Sequence, residues 1–223
     1  MPLRWVMFNV TGTLVDPVVM AQPLGDSGAD EQMVLDALDD AITQAMAVTL
    51  TGGSAPLPAL IDAGLRRRLR LAGRDENLAA AALELMGVMP AYIEAPAALE
   101  TLRGVGLRLA VLPQSSSAAA ESVLRFAGLR DRFDLVLSAE ETGAYKPDPR
   151  PYQMALEHTA ARPDELCHVS TFWWDVMGAK RAGLRTAWVA RRELALLESV
   201  PEPDYRGRDL AEVADAIVAR MGA

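Results

Sequence analysis

Apolar and polar residues fall in blocks along this chain, and the blocks are of two kinds. Short apolar runs bounded by turn residues predict buried strands. They lie at Leu3 to Phe8, Leu107 to Leu112, Phe133 to Leu137, Cys167 to Thr171 and Thr186 to Val189. Apolar positions recurring every three or four residues predict helices at about Ala118 to Ala127, Arg150 to Thr159 and Val176 to Ala182, with a last one at Leu210 to Met221. Over the second half of the chain strand and helix therefore take turns, which is the pattern of βαβ units in a doubly wound parallel sheet.

Residues 17–90 break that rhythm. Val34, Leu38, Ala41, Ile42 and Ala45 share helical spacing; so do Leu57, Leu60, Ile61, Leu65 and Leu69, and then Leu78, Ala82, Leu85 and Met86, with no strand run between them. The expected layout is an α/β core from 1–16 and 91–223, interrupted by an α-helical insert at 17–90. The first helix of the insert is acidic (Asp36, Asp39, Asp40) and the second basic (Arg66, Arg67, Arg68, Arg70). Exposed ion pairs are typically worth under ~1 kcal/mol, so these are expected to be two solvated faces in preference to a paired set.

Composition narrows the partners. With 223 residues, 51% of them hydrophobic and 23% charged, the chain has the make-up of an ordinary globular protein. Its net charge of −8 argues against nucleic acid and against an anionic membrane surface, both of which attract concentrated basic patches. A single cysteine, Cys167, excludes an internal disulfide framework. No run of about 18 apolar residues and no leader pattern is present, so a cytoplasmic location is the expectation. Of the 22 basic residues only Lys146 and Lys180 are lysines, which makes each lysine position informative.

Ligands of open α/β sheets sit at the carboxyl edge of the strands. The polar residues predicted there are Asn9, Thr11 and Thr13 after the first strand, Gln114 and Ser115 after the second, Lys146 after the third, and Ser170, Thr171 and Asp175 after the fourth. Asp175 stands just before the predicted helix at Val176, where it would also serve as an N-cap, and Ser115, Ser116 and Ser117 include an N-cap for the helix that follows them at about Ala118 to Ala127. Phe172, Trp173 and Trp174 read either as a pocket wall or as core. His158 and His168 lack the spaced partners of a zinc site and read as structural, and Cys167, inside a buried strand, reads as inert.

Three stretches carry a family resemblance. Phe8-Asn9-Val10-Thr11-Gly12-Thr13-Leu14 is similar to the first motif of the haloacid dehalogenase superfamily, Asp-x-(Asp or Tyr)-Gly-Thr-Leu. Gly143-Ala144-Tyr145-Lys146-Pro147-Asp148-Pro149 resembles its lysine motif, and Ser170-Thr171-Phe172-Trp173-Trp174-Asp175 its fourth motif, nearer the dehalogenase than the phosphatase branch. The resemblance implies a Rossmann-like parallel sheet flanked by helices, with the helical insert as a cap over the site. It also implies that Lys146 pairs with Asp175, and that Tyr152 matches a pocket tyrosine of the dehalogenase branch.

The same resemblance exposes departures. The family's nucleophile is an aspartate, and Asn9 stands there; an amide is neutral and a far weaker nucleophile than a carboxylate. Thr11 and Thr171 replace acids of the phosphatase branch, Pro113 replaces a Ser/Thr, and Phe172 replaces an asparagine. No Lys or Arg occurs between Arg4 and Arg66, where the dehalogenase branch has a clamp for the substrate carboxylate. So many changes read as a naturally divergent site more than as a single trapping substitution. The expected function is non-hydrolytic acid/base or electrostatic chemistry, such as cyclisation, isomerisation or elimination, on a small, largely apolar molecule bound between core and cap. Asn9, Lys146 and Asp175 are the expected catalytic residues. Thr11, Thr13, Gln114, Ser115, Tyr152, Ser170, Phe172 and Trp174 are the expected substrate contacts, with no metal and no cofactor. A haloacid dehalogenase-like hydrolase carrying an Asp-to-Asn change, and a non-catalytic binding protein, are the alternatives. Family members often dimerise, but no stripe in this chain singles out an interface.

Overall fold

A computed structural model describes residues 2–25 and 27–221. Six parallel strands form one sheet in the order β3-β2-β1-β4-β5-β6: β1 (Trp5–Phe8), β2 (Arg108–Val111), β3 (Leu135–Val136), β4 (Leu166–Ser170), β5 (Arg185–Val189) and β6 (Tyr205–Gly207). β1 lies at the centre, with Phe8 level with Val111 on one side and Val169 on the other. The strand order reverses at β1, so the loop that follows it opens at the sheet's switch point, where a parallel sheet leaves a crevice.

Side chains alternate across the strands, and the two sheet faces bury different helices. Val6, Phe8, Leu109 and Val111 pack with α4 (Ala95–Gly104), α5 (Ser117–Phe126) and α8 (Leu210–Met221). Trp5, Met7, Ala110 and Leu112 pack on the opposite side with α6 (Pro149–Thr159) and α7 (Trp173–Arg181). β6 and α4 are additions to the sequence-based expectation. The first is three residues long with an exposed arginine, too short for a periodic signal; the second is a short helix entered through Pro96 whose Ala95, Ala98, Leu99 and Leu102 do share helical spacing, a signal the sequence-based expectation leaves unused.

The described residues of 17–90 contain no strand and have an apolar cluster of their own, built on a 3-10 turn at Pro17–Leu24 and the helices α1 (Gly28–Leu50), α2 (Leu57–Leu71) and α3 (Leu78–Glu84). Ser27 caps α1 in a reciprocal box with Asp30. One expectation fails here. The acidic and basic faces of α1 and α2 pair: Arg68 makes a two-pronged contact with Asp40 at 2.8 Å, Arg67 reaches the same carboxylate at 2.7 Å, and Arg68 also lies 3.3 Å from Asp36. The helices pack so closely, with glycine at Gly64 against the Ala37 carbonyl, that opposite charges on neighbouring faces meet.

Candidate active site

Four loops at the carboxyl edge of the sheet bring the site residues together. The chain leaves β1 at Asn9 and turns sharply at Gly12, whose φ of 76° is left-handed and whose missing Cβ makes room for the Phe172 ring at 3.1 Å. Asn9 is buried and its amide is fixed: Nδ2 donates to the Thr11 carbonyl at 2.8 Å and to Thr13 Oγ1 at 3.1 Å, while Oδ1 accepts from Lys146 Nζ at 3.2 Å. Both amide hydrogens are therefore committed, and one lone pair of Oδ1 remains. A carboxylate in this pose would set an oxygen against the Thr11 carbonyl with no hydrogen between them.

Behind Asn9 lies a buried polar cluster. Lys146 Nζ donates to Asp175 Oδ2 at 2.8 Å, and Asp175 Oδ1 accepts from the Tyr152 hydroxyl at 2.7 Å and stands 2.9 Å from His168 Nε2. All four side chains are fully buried. Burial pushes the Asp175 carboxyl up, but the facing His168 and Lys146 outweigh it and hold it below the usual carboxylate range. Burial lowers Lys146 and His168 in turn, with Asp175 offsetting part of the effect. Gln114 anchors the lysine loop from the neighbouring strand: its Oε1 accepts from the Lys146 backbone N–H and its Nε2 donates to the Lys146 carbonyl, each at 2.9 Å. One Nε2 hydrogen is left over.

A cavity of about 330 Å³ lies between this edge and the helical insert. The core contributes Asn9, Thr11, Gln114 and Ser115, together with Ser122 of α5, which the sequence did not single out, and Phe172 and Trp174 as a stacked aromatic pair 5.3 Å apart. Every wall residue drawn from 17–90 is apolar or glycine, Leu38, Ile42, Leu57, Ile61 and Met86 among them. Among the described residues, none that lines the cavity is ionisable.

Against the sequence-based expectation, the structure sorts the residues into two groups. Thr11, Gln114, Ser115, Phe172 and Trp174 line the cavity with Asn9; Thr13, Ser170 and Tyr152 do not. Thr13 is buried as an acceptor for Asn9 and the Thr171 N–H, Ser170 accepts from the Phe172 N–H, and Tyr152 is spent on Asp175. Lys146 and Asp175 stand behind Asn9, outside the wall. Asp175 is not an N-cap: α7 starts two residues earlier, and the carboxylate turns inward. Ser116 caps α5. His168, read as merely structural, joins the polar cluster, and its signal, a histidine in an otherwise apolar strand, was present in the sequence. The apolar cap wall was visible only as helix periodicity. Arg66, Arg67, Arg68 and Arg70 are paired with Asp62, Asp40 and Glu76, and none lines the cavity.

The donor set does not suit a divalent metal of the kind the phosphatase branch uses. Hard cations need several anionic oxygens. Here Asn9 is neutral, Thr171 Oγ1 donates to the Val189 carbonyl, and Asp175 is saturated by three side chains. Among the described residues no group of three or more acids, histidines or cysteines is placed to hold an ion.

The family profile for haloacid dehalogenase-like hydrolases matches residues 3–183. The chain belongs to that family. An (S)-2-haloacid dehalogenase of Pseudomonas sp. strain CBS-3 is 30% identical over 85% of this chain and 86% of its own length. Another, from Pseudomonas sp. strain YL, is 33% identical over 59% of this chain and 56% of that protein. The structure of an L-2-haloacid dehalogenase from Xanthobacter autotrophicus superposes with a TM-score of 0.87 at 24% identity, covering 99% of this chain and 100% of that one, a likeness of fold. Within this haloacid dehalogenase-like family the six-stranded sheet with a helical insert is thus the shared frame. No described helix is long and apolar enough to cross a membrane.

Proposed function

We propose that this haloacid dehalogenase-like protein binds a small, neutral, largely apolar molecule between core and cap and acts on it without a covalent ester, as in a cyclisation, isomerisation or elimination. One observation carries this reading: among the described residues no ionisable side chain lines the cavity. A haloacid carboxylate or a phosphate ester would be buried there without a cation, and an unpaired buried charge is costly by many kcal/mol. Asn9 meets the substrate. Lys146 and Asp175 act through it as positioning residues, because both lie outside the wall. The ammonium fixes the orientation of the Asn9 amide and polarises its carbonyl, and preorganised dipoles of this kind favour charge shifts within a bound molecule.

A second reading, a hydrolase whose aspartate has become Asn9, is favoured by one distance: Lys146 Nζ lies 3.2 Å from Asn9 Oδ1, a position that would equally serve a carboxylate. The two readings separate in one experiment. The protein and its Asn9→Asp variant are assayed for chloride release from 2-chloropropionate and for phosphate release from p-nitrophenyl phosphate. Neither form is expected to exceed background. Strong hydrolysis by the variant would establish the second reading and overturn the first.

A further inference from the structure

The cavity is polarised along one axis. Its neutral polar groups all belong to the core, with Asn9, Thr11, Gln114 and Ser115 at the strand ends and Ser122 on α5, and the described residues on the cap side are apolar or glycine throughout. The floor also has a defined hydrogen-bonding offer. Gln114 Nε2 gives one hydrogen to the Lys146 carbonyl and keeps one, and Asn9 Oδ1 takes one hydrogen from Lys146 and keeps one lone pair. At about 330 Å³ the space lies at the lower end of the roughly 300–1,000 Å³ typical of sites for drug-sized molecules, and far exceeds the needs of a three-carbon acid.

We infer that the ligand is a one-headed neutral molecule, an alcohol, phenol or ketone on a hydrocarbon body of about ten or more carbons, bound with its oxygen on the Gln114 and Asn9 floor and its hydrocarbon under the cap. This rests on the proposed function above and specifies its substrate class. A hydroxyl suits both groups at once, since its oxygen accepts from the spare Gln114 N–H and its hydrogen goes to the spare Asn9 lone pair. A ketone uses Gln114 alone. The hydrocarbon body then covers Leu38, Ile42, Leu57 and Ile61, and the Phe172–Trp174 stack gives a flat ring a wall to lie against.

Equilibrium dialysis of the full chain against 2-naphthol, naphthalene, 2-naphthoate and 2-chloropropionate tests this. Binding of 2-naphthol is expected to be about five- to a hundredfold tighter than that of naphthalene, the worth of two net hydrogen bonds. It should be roughly a hundredfold tighter than that of 2-naphthoate, whose charge would lie unpaired. Ile42→Glu, which puts a charge on the apolar side, should weaken 2-naphthol at least tenfold at an unchanged circular dichroism spectrum; if that variant does not fold, the ligand series on the unaltered chain decides alone. Equal binding of naphthol and naphthalene would overturn the inferred polar head and leave the neutral-ligand reading standing. Preference for 2-naphthoate or 2-chloropropionate would overturn both. Binding of none of the four would overturn the inference, and the hydrolysis assay would then judge the reading by itself.

Discussion

At the scale of single residues the decisive objects are Asn9 and the buried set behind it. Lys146, Asp175 and neutral His168 sum to zero net charge, and Asn9 keeps it so. Lys146→Met would strand the Asp175 carboxylate without its cation; breaking a buried pair costs about 3–5 kcal/mol, which urea denaturation at pH 7.5 should register as a lower midpoint. The acid side of the stability curve should belong to His168. Its folded form is held below the ordinary 6.5, so the unfolded chain takes up a proton that the folded one refuses, and stability falls as pH drops through about 6.5. Asp175, held low, adds its own loss only further down, below the ordinary 3.8. The unfolding free energy from urea denaturation should therefore fall between pH 7 and 5 by up to about 1.4 kcal/mol per pH unit, and His168→Phe should flatten that slope. An unchanged slope in the variant would assign the effect elsewhere.

At the scale of elements, two close approaches position the site and the cap. Gly178 on α7 lets the helix settle against the lysine loop: a Cβ there would meet the Pro147 Cβ at 2.6 Å and the Tyr152 hydroxyl at 2.7 Å. In the cap, a Cβ on Gly64 would lie 2.5 Å from the Ala37 carbonyl, so α1 and α2 meet backbone to backbone. Gly64→Ala should force them apart and destabilise the protein by about 1–3 kcal/mol, seen as a drop in Tm. The arginine–aspartate contacts on the neighbouring faces are a weaker tie. Arg68 and Asp40 are 29% and 21% exposed in their side chains, and Asp40→Ala should cost no more than about 1 kcal/mol by the same measurement. Periodicity predicted both helices but not their separation, because the closeness depends on which residue of one helix faces which residue of the other.

At the scale of the whole molecule, among the described residues and away from the chain crossing at Asp16 and Pro90, hydrogen bonds and ion pairs tie the cap to the core at two places. Tyr145, next to Lys146, donates its backbone N–H to Thr49 Oγ1 at 3.0 Å and its hydroxyl to the Ala55 carbonyl at 2.6 Å, and Arg192 after β5 grips Asp39 of α1 at 2.6 and 2.9 Å. Arg192→Ala should loosen the second tie by about 0.2–1 kcal/mol and speed hydrogen exchange in α1 by a few-fold, leaving exchange in β1 and β4 unchanged. The strands of the core, the helical character of 17–90 and the polar residues at strand ends were legible in the sequence, because periodicity and turn residues are local signals. The family likeness was legible for the same reason, since motifs are contiguous. Tertiary structure alone decided which polar residues face the cavity: of those expected from the sequence Asn9, Thr11, Gln114 and Ser115 do, joined by Ser122, while Thr13, Ser170 and Tyr152 are consumed by partners distant in sequence or across a turn. It also drew His168 into the Asp175 cluster, and set an apolar cap opposite a neutral floor. A hydrogen bond or a cavity wall depends on the three-dimensional approach of separate segments, and no residue's local pattern contains that distance.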